Sequence, residues 1–227
     1  MFVVTSGGVV VADAPPSYSA ALPAAIAEVT DLPVTHVIYS HAHTDHIGGA
    51  TAVVTDSVEV IAHEATAVER ADPNRPLPTI TFEDNYSLEA GGRTIELVYS
   101  GTNHQEGNIF IQVPDADVMM LIDVIFPGGT PRQFLALAQD VPGFIEASNE
   151  LLTCEWETLV SGHVTRADVQ LQNEFVADLQ AAAGTRWEPA ASRTPSLRSP
   201  TTRRKTSGLG SSPMLSSAPS SHSASTR

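Results

Sequence analysis

Cysteine is nearly absent from this chain of 227 residues. Cys154 stands alone, which excludes an intrachain disulfide and any structural zinc site built from several cysteines. Long apolar runs are missing too: stretches such as Val118–Ile122 and Phe134–Ala138 fall far short of the ~20 residues a membrane-spanning helix needs. The opening Met1-Phe-Val-Val-Thr-Ser-Gly-Gly has neither a basic n-region nor an apolar h-region, so no secretory signal peptide is expected. A protein of the reducing cytoplasm, without a membrane partner, is the expectation these absences leave.

Positive charge is scarce as well, and it is unevenly placed. Residues 191–227 hold six basic residues and no acid, so the net charge of −14 resolves into +6 there and −20 over the rest. A body that acidic repels polyanions, which argues against a nucleic-acid partner and against a nuclease. The basic residues of the tail are sparse, with no aromatic residue among them, and are read as solvated.

The chain is long enough to bury one substantial core, and 42% of it is hydrophobic. Composition shifts after about Trp187 to Ser, Thr, Pro and Arg, with Leu197, Leu209, Met214 and Leu215 the only large apolar residues. Such a segment cannot bury enough surface to offset its ordering entropy. The division expected is therefore a folded domain over 1–188 and a disordered tail over 189–227.

Strand and helix signals alternate through the body. Phe2–Thr5 and Val9–Ala12 flank Ser6-Gly7-Gly8 in a hairpin pattern. Ser17–Val29 has helical spacing and is predicted as a helix whose start Pro23 delays or kinks. Strands are predicted at Val34–Ser40, Val58–Ala62, Thr79–Phe82, Thr94–Tyr99, Ile109–Val113, Val118–Ile122 and Thr158–Val160. Helices are predicted from Ala50, over His63–Ala71, near Gly143–Leu152 and over Ala167–Ala183. Strands followed by helices in each half point to an α/β fold, with two sheets face to face and helices outside in four layers, αββα.

His41, His43, Asp45 and His46 lie within six residues directly after an apolar strand. On extended backbone, residues two apart face the same way, so His41 and His43 can share a metal. A turn then swings Asp45 and His46 toward a second position, and Gly48-Gly49 permits tight backbone there. Imidazole and carboxylate are the ligands zinc takes where a coordination position stays open for water.

His-x-His-x-Asp-His after a strand resembles the signature of the metallo-β-lactamase fold superfamily. The resemblance runs from about Phe2 to Leu179 and includes, in order, Asp13, Gly101-Thr-Asn-His104, Asp123 and Ser161-Gly162-His163. It implies that fold, in a form that could lack its N-terminal strand or strands. It also implies that His41, His43 and His104 hold one metal and that Asp45, His46 and His163 hold another. Asp123 would bridge the two, and Asp13 would support the metal loop. Two zinc ions are the implied cofactor, with iron or manganese suiting the same donors.

The chemistry implied is hydrolysis by a metal-bound hydroxide, with Asp45 orienting the nucleophile or receiving its proton. Asp123 resembles the bridging aspartate of glyoxalase II-type thioesterases and lactonases, so the small-molecule substrate expected is an ester, thioester or lactone. The alternatives are a β-lactam hydrolase, an iron-dependent sulfur dioxygenase on the same fold, and a truncated, inactive fold that only binds metal. Arg132 and Arg166 follow two ligand segments and could anchor a substrate carboxylate, although surface ion pairs are their commoner use. His36, His63 and His222 fit no motif position and are read as structural. Cys154 is read as a small buried hydrophobe.

Overall fold

In the computed structural model the residues described are 1–68, 75–125, 137–163 and 181. The first sheet begins with a hairpin: β1 (Phe2–Thr5) pairs antiparallel with β2 (Gly8–Ala12), setting Phe2 opposite Val11. From β2 the sheet is parallel, in the order β1-β2-β3-β4-β5, with β3 at Val34–Ile38, β4 at Glu59–His63 and β5 at Ile80–Phe82. β2 is buried along its whole length, as expected of an inner strand covered on both faces.

The second sheet is a meander of β6 (Asn85–Ala90), β7 (Arg93–Val98), β8 (Phe110–Val113) and β9 (Val118–Leu121). β10 (Thr158–Val160) joins it parallel to β9.

Side-chain alternation on these strands builds three apolar layers. Val10, Ala12, Ile38 and Ile61 of the first sheet meet Leu97, Ile111, Val113 and Met120 of the second between the two sheets. The opposite face of the first sheet presents Val9, Val11, Val37 and Val60 to Ile26, Ile47 and Ala50 of the covering helical segments. The opposite face of the second presents Phe110, Met119, Leu121 and Leu159 to Phe144, Ala147 and Leu151 of a helix. This is the four-layer αββα sandwich that the sequence predicts.

The helices are α1 (Pro16–Ser19), α2 (Leu22–Ala27), α3 (Thr44–Ile47), α4 (Glu64–Val68) and α5 (Val141–Leu151). A 3-10 turn covers Ala50–Ala52. The single helix expected over Ser17–Val29 is thus two short ones. Pro23 has no N–H to continue a helix from α1, but in the first turn of α2 that N–H is not needed.

Asp45 and His46 lie on a helical turn, α3, instead of a plain turn. Gly48 and Gly49 have backbone angles open to any residue, with φ of −67° and −98°. Their requirement is space: a side chain on Gly48 would press on the Thr44 carbonyl, and one on Gly49 on Ser19 and the Ala14 carbonyl. Strand β6 is not among those the sequence predicts. The helix expected over 167–183 (apart from Ala181), the boundary near 188 and the tail fall outside the described residues. No described helix is long and apolar enough to cross a membrane.

Candidate metal centre

Five segments converge where the strands of both sheets end. β3 leads through Tyr39 and Ser40 into His41, His43 and α3; β2 ends just before Asp13; β9 ends just before Ile122-Asp123; β10 ends just before Ser161-Gly162-His163; and the loop between β7 and β8 carries His104. Three of these positions hold left-handed backbone without being glycine: Asp13 (φ 59°), Asp123 (φ 60°) and His163 (φ 55°). Such a conformation costs about 1–3 kcal/mol per residue and persists where the surroundings dictate it, commonly at functional sites.

The ligand atoms fall into two groups, each within 4.8 Å: His41, His43, His104 and Asp123, and Asp45, His46 and His163. In the first, His43 Nδ1 lies 3.0 Å from His41 Nε2 and 3.1 Å from His104 Nε2. In the second, His163 Nε2 lies 3.3 Å from His46 Nε2 and 3.2 Å from Asp45 Oδ2. Asp123 Oδ2 reaches both groups, at 3.0 Å from His46 Nε2, 3.4 Å from His104 Nε2, 3.6 Å from His163 Nε2 and 3.8 Å from His41 Nε2. All seven residues singled out in the sequence are therefore brought together. Arg132, Arg166 and His222 lie outside the described residues.

The donor set fits a divalent cation on two observations. Asp123 Oδ1 is buried with no hydrogen-bond partner among the described residues. His43 Nδ1 also faces two imidazole nitrogens at once, His41 Nε2 and His104 Nε2, a convergence of donor atoms that one cation would satisfy together.

Burial, aided by the neighbouring histidines, holds His41 well below the usual imidazole range, and burial pulls His104 down to about 4. Both are thus neutral at pH 7, as ligands must be. At His46 burial acts the same way, but the hydrogen bond to Asp123 and the charges of Asp123, Asp13 and Asp45 outweigh it and raise the value. Burial would raise Asp123, yet the His46 hydrogen bond and the surrounding imidazoles hold it below the usual carboxylate range.

A further set of residues, not singled out from the sequence, fixes these candidate ligands. Ser40 donates from its N–H to Asp13 Oδ1 (2.8 Å) and from Oγ to Asp13 Oδ2 (2.7 Å), while its Oγ also lies 2.9 Å from His41 Nδ1. The peptide of Ala42 is held on both sides. Its N–H donates to Gln105 Oε1, and its carbonyl accepts from Arg75 Nη1. Asn103 Oδ1 accepts from the His104 N–H and from Asn108 Nδ2, which also donates to the Ile122 carbonyl just before Asp123.

Gly162 is required by proximity: a Cβ there would run into Asp123 Oδ1 and lie 3.1 Å from His46 Cε1. His63, one of the histidines read as structural, contacts the Glu83 carbonyl through Nε2 (2.7 Å) and accepts the Ala65 N–H.

A fold of two face-to-face sheets with histidines and aspartates gathered at one edge defines a metal-site α/β sandwich. The model of the metallo-beta-lactamase superfamily matches residues 1–163, and the chain belongs to that superfamily. The alpha subunit of 2,4-dinitroanisole O-demethylase from Nocardioides sp. (strain JS1661) is 31% identical over 157 residues, 65% of this chain and 45% of that protein. A metallo-beta-lactamase type 2 from Bacillus sp. (strain 170) is 32% identical over 38% of this chain and 34% of its own length. The chain thus spans less than half the length of these two relatives.

A probable metallo-hydrolase of Bacillus subtilis (strain 168), YqgX, is 28% identical over 62% of this chain and 74% of its own length. Among solved structures, a metallo-beta-lactamase from Pontibacter korlensis superposes with a TM-score of 0.64 at 21% identity, covering 78% of this chain and 86% of that one. Metallo-beta-lactamase IND-7 superposes at 0.66 and 20% identity, covering 80% and 84%. At such identity these likenesses show the fold alone.

Proposed function

We propose that the chain is a hydrolase holding two divalent cations, zinc foremost. His41, His43 and His104 bind one, Asp45, His46 and His163 bind the other, and Asp123 lies between them. The observation that carries this reading is the position of Asp123 Oδ2, within 3.0–3.8 Å of the Nε2 atoms of four histidines drawn from both groups. When bound, such a pair of ions polarises an acyl oxygen and lowers the pKa of an associated water toward ~7.

The chain's own residues supply the rest. His41 and His104, neutral by burial, offer lone pairs with little proton competition. Asp123 presents one carboxylate to both groups, and its buried Oδ1 is free of competing donors among the described residues. Asp45 is more than half exposed, and its Oδ2 lies between His46 Nε2 (3.5 Å) and His163 Nε2 (3.2 Å). It can therefore reach a substrate from the solvent side and orient the attacking water, whose proton the other oxygen of its carboxylate can accept. Asp123 is also what favours an ester, thioester or lactone over a β-lactam, by its resemblance to the bridging aspartate of thioesterases and lactonases.

Elemental analysis of zinc-replete protein should give about two ions per chain, as a two-metal site requires. The protein should turn over members of a panel of p-nitrophenyl esters, thioesters and lactones in preference to a chromogenic cephalosporin, a phosphodiester or 2,4-dinitroanisole. Asp123→Ala should lose about one ion, with activity falling about a hundredfold or more. One iron per chain with dioxygen consumption, or no turnover in the zinc-replete protein, would overturn the proposal.

A further inference from the structure

A cleft of about 500 Å³ opens beside the Asp45–His46–His163 group, and nothing in the proposed chemistry uses it. Its volume is that of a small-molecule site. Its floor near the metal centre is polar, formed by Asp45, His46, His163 and the Gly162 backbone. Its walls are mainly apolar, with Asp13, Ser17, Ser19 and Ser161 the polar residues among them, and come from two directions. Pro15, Tyr18 and Leu22 stand on the α1–α2 side, and Met120, Ile122 and Val160 on the side of the second sheet.

The two walls differ in kind. Met120 and Ile122 are 2% and 4% exposed and belong to the layer between the sheets, so their position is fixed by packing. Tyr18 is 69% exposed and Leu22 is half-buried, so the opposite wall stands open to solvent. The cleft therefore has a rigid apolar back, an accessible apolar front and the candidate ligands at one end. Asp13 is buried and already held by Ser40, so a charged group placed between the apolar walls would lose hydration for little return, whereas an alkyl or aryl group would gain by leaving water.

We infer that this cleft receives the uncharged, apolar acyl or aryl portion of the substrate, leaving the scissile carbonyl at the Asp45–His46–His163 end. The inference rests on the hydrolase reading for the reaction but not for the binding. Tyr18, Leu22 and Met120 are then the residues that set chain-length preference. Each added methylene of a straight acyl chain strengthens binding by about two- to fourfold until the cleft is full.

The test uses binding without turnover. Full-length zinc-loaded protein carrying ¹³C-methyl methionine is titrated with neutral methyl ketones from 2-butanone to 2-octanone, which cannot be hydrolysed. The methyl signals of Met1 and Met120, which line the cleft, should shift. That of Met119, on the opposite face of β9 in the outer layer, should not. Affinity should rise about two- to fourfold per methylene.

Leu22→Trp, filling the cleft from its open side, should weaken 2-octanone binding at least tenfold while metal content stays at the wild-type level. Leu22→Ala, which enlarges the cleft, should move the preference to longer ketones. Absence of the Met1 and Met120 shifts, affinity independent of chain length, or wild-type binding in Leu22→Trp would each overturn the assignment. A protein that binds ketones as described yet hydrolyses no ester, thioester or lactone overturns the hydrolase reading alone. One that hydrolyses acetyl and octanoyl esters equally and shows no methionine shifts overturns the cleft assignment alone.

Discussion

Ser40 sits between a buried acid and a histidine, and its hydroxyl has one proton to give. With Oγ donating to Asp13 Oδ2 at 2.7 Å, its lone pair faces His41 Nδ1 at 2.9 Å. That arrangement assigns the His41 proton to Nδ1 and leaves Nε2 as the lone pair directed at the other ligands. Burial pushes the Asp13 carboxyl up, against the two hydrogen bonds from Ser40, so the acid depends on Ser40 as much as Ser40 on it. Ser40→Ala should therefore lower metal affinity about ten- to a hundredfold in chelator competition. Ser40→Thr, which keeps the hydroxyl, should stay within a few fold of wild type. Equal affinity in the alanine variant would show that His41 needs no such partner.

The candidate ligands were legible as a group because four of them crowd into six residues, and because His104, Asp123 and His163 follow in the order of a known pattern. Ser40, Arg75, Gln105, Asn103 and Asn108 were not. A serine before a histidine or an asparagine in a loop is ordinary composition. Their roles arise from partners that folding alone brings near, such as Asp13 for Ser40, 27 positions away, or Ala42 for Gln105, 63 positions away.

At the scale of elements, every described strand announced itself in the sequence except β6. β2 and β9 read as continuous apolar runs since both faces are covered. β6, at the edge of its sheet, buries only Leu88 and Ala90 and exposes Asn85, Ser87 and Glu89, a weak alternation beside a Gly-Gly turn. The helix over 17–29 was read as one, with Pro23 expected only to delay or kink its start, whereas the missing N–H separates α1 from α2.

α5 offers the cleanest test of what an element contributes. It seats Phe144, Ala147 and Leu151 on the outer face of the second sheet, while the residue before it, Asp140, donates its N–H to the Asn103 carbonyl. Leu151 is fully buried at the end of the helix remote from that bond. Leu151→Ala should therefore cost about 2–5 kcal/mol in denaturant unfolding, the range for a core leucine. It should leave metal stoichiometry intact. Loss of both together would mean that the outer layer and the metal centre are not separable.

Over the whole folded body, the candidate ligands join the two sheets. His41, His43, Asp45 and His46 follow a strand of the first sheet, whereas His104, Asp123 and His163 come from loops and strand ends of the second. Left-handed backbone at Asp13, Asp123 and His163 works against the folded state, as do a buried Asp123 Oδ1 and His104 Nδ1 without partners among the described residues. A cation that binds the folded site and not the unfolded chain opposes these costs. It stabilises by about 4 kcal/mol when present at a thousand times its dissociation constant.

Stripping the metal with a chelator should then lower the thermal midpoint by several degrees, and restoring zinc should recover it in a concentration-dependent way. Asp123→Ala should recover less on zinc addition than wild type, because the bridge between the groups is gone. A midpoint unmoved by chelation in protein shown to have lost its metal would mean that the apolar layer between the sheets carries the stability unaided. The convergence of the seven residues would then owe nothing to a cation.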